Sequence, residues 1–371
     1  MEIKTVEEIN QYIGSAVNPL DNPNTVYELY SVPSFESQQP EIIKGNDIGS
    51  SKITVEDGDV LVCKINPRIN RVWVVKRHTS YPLLASSEWI VIRNCDIDSD
   101  YLKWYFSSPT FRNLLVSQVA GIGGSLTRAQ PKQVAKYPVP LVGKEEQHRI
   151  VALLDKVSDL IAKRQAQLDK LDLLVKARFV EITENSETVP TRMGDVATYT
   201  NGYAFKPTNW SENGLPIIRI QNLNNANAEY NYFDGVLPEK YLVRKGDVLV
   251  SWATHLEAYI WKGHDAWLNQ HIFKVVFDKI PINDVYFVYS TEEALRQAFK
   301  NAHGFKPTME HIKRSDFEDA VIQLPDIEVQ NKFARFAAQV DKSKLTIQQS
   351  LDKLETLKKA LMQQYFKDGE L

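Results

Sequence analysis

Leu168-Asp169-Lys170-Leu171 returns as Leu351-Asp352-Lys353-Leu354, about 183 residues further along the chain. At that offset Gln147 falls on Gln330, Val157 on Val340 and Ala177 on Ala360. The register holds without a gap from Gln147 onward to the end of the second copy. An internal repeat sets the architecture before any local motif is read. In the first copy Ile150, Leu154, Val157, Ile161, Leu168, Leu171, Val175 and Ile182 keep a three-and-four spacing. In the second, Phe333, Ala337, Val340, Ile347, Leu351, Leu354, Leu361 and Tyr365 do the same. No proline interrupts either run. So long and narrow an apolar stripe predicts a coiled-coil seam rather than the broad face of a helix on a globular core. Helices of forty residues would reach roughly 60 Å at ~1.5 Å per residue.

The seam has polar breaks at Arg164, Arg178, Lys344 and Lys358. At the repeat offset these correspond to Ile347, Leu361, Ile161 and Val175, so each break is apolar in the other copy. Two readings stand. The breaks fix the register of two unlike helices that pair with each other, or their long side chains simply reach out to solvent.

Outward from the helices, each copy carries a globular segment. Gly58-Asp59-Val60-Leu61-Val62 recurs as Gly246-Asp247-Val248-Leu249-Val250. In the first segment Gly58 to Ile65, Arg71 to Lys76 and Glu88 to Arg93 read as strands, with a turn at Asn66-Pro67-Arg68-Ile69-Asn70. A helix from about Asp100 to Gln118 follows, with a break expected at Pro109. Asp284 through Gly304 parallels it, Tyr289 against Tyr105 and Arg296 against Arg112. The predicted fold is therefore α+β, with two tandem α/β domains, each closed by a long helix, and an internal pseudo-two-fold repeat. Its expected boundaries are 1–141, 142–186 (first helix), 187–325 and 326–371 (second helix).

Composition narrows the function. A chain of 371 residues has room for two or three domains. No apolar run approaches the roughly 18 residues a membrane helix needs, and Met1 to Glu8 lacks the apolar core of a signal peptide. Only Cys63 and Cys95 are present. Neither forms a CxxC pair, which excludes a cysteine zinc cluster and favours a reduced, cytoplasmic protein. A net charge of −3 means that any nucleic-acid surface must concentrate its cations on one face or share the work with a partner.

Catalytic motifs are missing. Asn66-Pro67-Arg68-Ile69 and Asn18-Pro19-Leu20-Asp21 lack the second proline and the aromatic of an adenine methyltransferase. Ala120-Gly121-Ile122-Gly123-Gly124-Ser125 has no Walker lysine and reads as a loop or helix cap. Pro325-Asp326 is followed by no nuclease ligand set. The seven histidines form no zinc pattern, and Cys63 reads as a small hydrophobe. No catalytic residue, metal site or cofactor is expected on this chain.

Polar loop chemistry is present instead. Lys44-Gly45-Asn46-Asp47 in the first segment parallels Arg219-Ile220-Gln221-Asn222 in the second, where Asn224 and Asn225 extend an amide cluster. Amides pair with adenine and arginines or lysines with guanine at major-groove edges. Arg68, Arg71, Lys76, Arg77 and His78 surround Trp73 as a basic stretch. Arg128 and Lys132 follow one glycine loop and Lys306 the other, and His255 lies in the second segment. Phosphate contact is the simplest role for such cations. Singly, each of these residues reads better as part of a solvated loop; their recurrence in both copies is what points to DNA.

Laid out this way, the chain resembles the specificity subunit of type I restriction–modification enzymes over essentially its whole length. The resemblance rests on Tyr137-Pro138-Val139-Pro140-Leu141 leading to Glu145-Glu146-Gln147 and Ile150, and on Val321-Ile322-Gln323-Leu324-Pro325 leading to Gln330 and Phe333. The duplicated Gly-Asp-Val-Leu-Val adds to it, as do Met193-Gly194-Asp195-Val196 and Asn201-Gly202-Tyr203-Ala204-Phe205. The first segment lacks that Gly-aromatic opening and begins differently around Tyr27 to Phe35, and Glu328-Val329-Gln330 replaces Glu-Gln. The resemblance implies two target recognition domains, each reading one half of a split, asymmetric site in double-stranded DNA. It implies an antiparallel helix pair acting as a ruler, with half-sites roughly 34–36 Å apart. It also implies docking of two methyltransferase subunits that carry S-adenosylmethionine and flip the adenine, and a restriction and motor subunit using ATP and magnesium that can join them. The rival readings are a coiled-coil scaffold that recognises no DNA and an enzyme that modifies DNA by itself.

Overall fold

The computed structural model describes residues 2–117, 127–225, 227–252, 257–303 and 314–367, with the side chains of 224 and 296–303 excepted. His255, Lys306 and the glycine loop at 120–125 lie outside the described residues. The chain divides into two compact units, Met1–Gln165 with Gln349–Leu371, and Ala166–Gln348.

The chain begins with β1 (Glu2–Thr5), α1 (Val6–Ile9), β2 (Ala16–Val17), β3 (Val26–Tyr30), β4 (Glu41–Lys44), β5 (Lys52–Thr54), β6 (Val60–Cys63), β7 (Val72–Val74), β8 (Leu83–Ser86), β9 (Trp89–Ile92), α2 (Ser99–Phe106), α3 (Pro109–Ser117), α4 (Pro131–Val134), β10 (Pro138–Leu141) and α5 (Lys144–Glu184), which passes from the first unit into the second. The chain continues with β11 (Thr188–Arg192), α6 (Met193–Val196), β12 (Thr198–Asn201), β13 (Leu215–Ile218), α7 (Ile220–Asn224), β14 (Asn231–Phe233), β15 (Leu242–Val243), β16 (Val248–Ser251), β17 (Ala258–Ile260), β18 (Ala266–Leu268), β19 (Ile272–Val276), α8 (Asp284–His303), α9 (Arg314–Asp319), β20 (Val321–Pro325) and α10 (Ile327–Tyr365).

One pairing plan serves both copies. β3 lies parallel to β8 and antiparallel to β4, as β13 lies parallel to β18 and antiparallel to β14. β6 sits between β7 and β9, and β16 between β17 and β19. β1 closes on β10 and β11 on β20. The repeated Gly-Asp explains itself physically. Gly58 (φ +89°) and Gly246 (φ +97°) turn through the left-handed region, which glycine enters without a Cβ penalty. The aspartate that follows accepts from a backbone N–H three residues upstream, Asp59 from Glu56 and Asp247 from Arg244, both at 2.8 Å. Each is also paired to a cation, Asp59 to Arg93 and Asp247 to Lys274.

The glutamine of the Glu-Gln motif is a clamp. Gln147 and Gln330 are buried. Gln147 donates to the Val142 carbonyl (2.7 Å) and accepts from the Asp98 N–H (2.9 Å). Gln330 does the same with Pro325 (2.9 Å) and Asn283 (3.0 Å). Asp98 and Asn283 cap the next helix in turn. Three elements thus meet on one side chain, and buried backbone groups that would otherwise lack partners are satisfied. These caps correct the helix alignment by one residue. Tyr101 corresponds to Tyr286, each hydroxyl donating to a strand carbonyl at 2.6 Å, on Pro140 and Gln323. Pro109 does break the helix, separating α2 from α3.

The long helices run antiparallel. In the first unit Ile150 and Leu154 of α5 share a core with Met362 and Phe366 at the far end of α10. In the second, Val175, Phe179 and Ile182 share one with Phe333, Ala337 and Val340. Val157 and Leu351 are buried, while Ile161, Leu168, Leu171, Ile347, Leu354 and Leu361 are half-buried. The seam therefore has two regimes. Its outer turns are also the face of a helix on a globular core, with Phe366 against Tyr101 (5.6 Å) and Phe179 against Tyr286 (5.3 Å). Of the polar breaks, Lys344 pairs with Asp172 on the opposite helix, Lys358 stands 4.9 Å from the Trp104 ring, and Arg178 pairs with Glu181 on its own helix. The Lys344 pair crosses the seam, which supports a register role for Lys344, whereas Lys358 reaches α2 and not the opposite long helix.

Candidate nucleic-acid interface

In the second unit the chain leaves β13 and turns at once into α7. Arg219 stands at that junction. Its guanidinium donates to Asn231 Oδ1 (3.0 Å) and lies 5.7 Å from the Trp210 ring. Gln221, one turn further, is exposed. Both line a cleft of about 390 Å³ with Phe205, Trp210, Gln270 and His271. Gly202 permits this shape: a Cβ there would fall 2.2 Å from the Asn269 carbonyl oxygen. The Asn-Gly-Tyr-Ala-Phe opening thus lets Tyr203 cross the end of β18 and puts Phe205 into the wall. Tyr203 stacks edge-on with Phe205 (5.0 Å) and Phe205 with Phe233 (5.4 Å). A fixed guanidinium, exposed amides and aromatic walls form a surface able to read base edges. Gln270 and His271, whose side chains meet at 3.1 Å, were missed in the sequence. Their signal was position, directly after an apolar Trp-Leu strand.

Asn222 does not belong to this surface. It is 4% exposed. Its Oδ1 accepts from the Arg219 N–H and its amide donates to the Ala228 and Glu229 carbonyls. Its hydrogen-bonding edge is spent on locking the loop, which corrects the expectation that it contacts a base. Asn224 ends α7, its side chain outside the described residues.

In the first unit the basic stretch separates into two groups. Trp73 between them is buried, packed at 4.6 Å from Tyr30 and 6.4 Å from Trp89, so it offers no ring to a base. Arg68 is exposed at the turn before β7, where Asn66 and Asn70 take left-handed φ. That turn lies beside Arg128, which bridges Ile65. Arg71 pairs with Glu36 (3.4 Å) and Arg128 with Glu88 (3.0 Å). Lys76 and Arg77 lie beyond the other end of β7. Lys76 pairs with Asp100 (3.7 Å), and Arg77 donates to the Tyr81 carbonyl (3.0 Å). Lys132 is exposed on α4, and Lys44 at the end of β4 and Asn46 just after it are exposed.

Topology corrects one more parallel. Lys44 ends β4, paired with Val26 at the start of β3. Arg219 follows β13, the strand equivalent to β3. The two basic-amide segments therefore sit at opposite ends of equivalent strands.

Among the described residues no group of three or more His, Cys, Asp or Glu could hold a metal ion, and no helix is long and apolar enough to cross a membrane.

Comparison with known proteins places this architecture. Residues 185–358 match the model of the type I restriction modification DNA specificity domain. The EcoBI specificity subunit of Escherichia coli is 29% identical over 176 residues, 46% of this chain and 36% of that protein. The MjaVIII specificity subunit of Methanocaldococcus jannaschii is 24% identical over 192 residues, 51% of this chain and 44% of that one. The matches thus span less than half the length of these relatives. A chain solved in a structural study of type I restriction–modification complex assembly aligns over 100% of this chain and 98% of its own, with TM-score 0.66 and 18% identity. Residues 185–358 are thus similar to the DNA specificity domain of type I restriction–modification systems, and the whole chain shares its fold with the chain from that structural study.

Proposed function

We propose that this chain is the DNA specificity subunit of a type I restriction–modification complex and performs no catalysis itself. Residues 1–141 and 187–325 act as the two target recognition domains, and 142–186 and 326–371 as the spacers between them. Each domain reads one half of an asymmetric bipartite site in double-stranded DNA. The duplicated plan carries this reading: one α/β unit occurs twice, each copy closed by a long helix, with the specificity-domain match over 185–358. Two methyltransferase subunits dock on the helices and bring S-adenosylmethionine; a restriction subunit with ATP and magnesium can join them.

Arg219, Gln221, Gln270 and His271 supply base-edge chemistry in the second domain, and Arg68, Arg71 and Arg128 phosphate contacts in the first. The ion pairs of Arg71 and Arg128 are no obstacle, since such partly exposed pairs contribute only about 0–1 kcal/mol. The test is methylome sequencing of cells carrying this chain with its methyltransferase, against cells lacking only this chain. A bipartite adenine motif that vanishes with the chain is the expected result. An unchanged methylome with active methyltransferase would reject the proposal.

A further inference from the structure

The first domain's reading segment must occupy the place that α7 holds in the second, and strand pairing identifies that place. β13 ends at Ile218 beside Leu268 of its parallel partner β18. β3 ends at Tyr30 beside Ala85 of its parallel partner β8. The equivalent of Arg219–Asn224 is therefore the segment leaving β3, Ser31 to Gln39. Lys44 and Asn46 cannot be that equivalent. A Cβ on Gly45 between them would fall 2.5 Å from the Pro19 and Asn22 carbonyl oxygens, and the Asn46 N–H donates to the Pro23 carbonyl, all beside the amino end of β3.

The two segments are built alike. In the second domain Ile220 and Leu223 anchor α7 to the core, Asn222 locks the loop, and Gln221 is left exposed. In the first domain Phe35 is the anchor, with its ring 6.0 Å from Trp73 and 6.2 Å from Trp89. Ser31 and Ser34 are the lock, Ser31 Oγ bonding to Glu41 and to the Ser34 N–H. A one-turn helix over Pro33–Ser37 follows, and Gln38 holds φ +54°. Gln38 and Gln39 are left exposed. Gln38 donates one amide N–H to the Phe35 carbonyl (2.6 Å), which steadies the side chain while its second N–H and its oxygen face outward from an exposed residue, unlike the buried Asn222. A rigid turn that presents amides from an anchored base is the arrangement that base reading requires. Cations flank the same end of the sheet. Glu36 on this turn pairs with Arg71. Glu88, just beyond β8, pairs with Arg128 and occupies the neighbourhood that Gln270 and His271 hold after β18.

We propose that Gln38 and Gln39 are specificity-determining residues for the first half-site, with Arg71 and Arg128 holding the adjoining backbone. This rests on the function proposed above. Two variants test it in the complex with the methyltransferase, read by methylome sequencing: Gln38→Asn/Gln39→Glu, and Lys44→Ala/Asn46→Ala. Asparagine tolerates the left-handed conformation, and glutamate keeps size while exchanging an amide for an acceptor-only group.

The expected result is that the glutamine variant loses preference at one or two positions of one half-site, roughly 5- to 150-fold each. The other half-site and the spacer stay as they were, and the Lys44/Asn46 variant keeps the wild-type motif. Retention of the other half-site also shows that the variant is folded and assembled. An unchanged motif in the glutamine variant, or relaxation only in the Lys44/Asn46 variant, overturns the assignment while leaving the specificity role intact. Absence of any bipartite motif with the wild-type chain removes both.

Discussion

Asp59 is 1% exposed, and its two oxygens grip Arg93 Nε and a terminal nitrogen, both at 2.7 Å. Asp59→Ala removes this bidentate pair and the acceptor of the Glu56 N–H and leaves Arg93 only the exposed Glu56 carboxylate (2.7 Å), so it is expected to cost about 3 kcal/mol. Asp247→Ala should cost less, about 1–2 kcal/mol, because Lys274 still donates to the Leu242 carbonyl at 2.8 Å. Denaturant midpoints of the two variants give the comparison, and equal losses would contradict it. Glu28 carries a pH dependence. Burial works against its charge. Hydrogen bonds from the Thr79 hydroxyl, the His78 and Thr79 N–H groups and the Tyr30 hydroxyl outweigh it and hold the carboxyl below its ordinary value. A depressed carboxyl contributes stability that is complete above its unfolded pKa of about 4.3 and is lost as pH falls through the folded value. The stability gap between wild type and Glu28→Gln should therefore stay constant above about pH 6 and close in acid. A gap that widens on acidification would mean the sign is wrong.

At the scale of elements, the glutamine clamps and the helix pair carry the argument. Gln147→Leu leaves the Asp98 N–H and the Val142 carbonyl without their partner, so a loss of about 2–4 kcal/mol is expected. Gln330→Leu should match it, and thermal unfolding of both variants checks the pair. Along the seam, Leu154→Ala should cost about 2–5 kcal/mol, and the half-buried Leu168→Ala clearly less. Equal costs would mean that the outer turns are not embedded in the domain cores.

The repeat and the heptads were legible because each occurs twice; Gly58-Asp59 read as the start of a strand, whereas the strand begins at Val60 after a left-handed turn at Gly58. The break at Pro109 was legible because proline acts on its own turn. The proposed recognition surface was not, because it is assembled by pairing. Lys44-Gly45-Asn46 and Arg219-Ile220-Gln221 look alike in one dimension, yet one follows an edge strand and the other a central strand running the opposite way. The partners of Arg71, Lys76 and Arg128 lie 24–40 residues away in sequence. Asn222 reads as an exposed amide until the fold buries it.

For the whole molecule, the acidity matters most. With a net charge of −3, long-range attraction to a polyanion is weak or repulsive. On the function proposed above, affinity for DNA must then come from short-range cations and from partner subunits. DNA affinity of the complex should fall steeply with salt, log K dropping by about 0.9 per log unit of salt for each phosphate neutralised. Arg68→Ala should shallow that slope by about one without changing the preferred sequence. Salt titrations with matched and mismatched duplexes measure both. A variant with an unchanged slope would remove Arg68 from the backbone contacts.

Met362 and Phe366 complete the core around Tyr101 and Tyr105 in the first unit. Translation delivers the two halves of that core far apart in time. After Leu154 emerges, roughly 200 more residues must be made, about 10–40 s at ~5–20 residues per second. The domain that leaves the ribosome first is therefore finished last. Until then its aromatic floor lies open, a target for chaperones and for misassociation between neighbouring nascent chains.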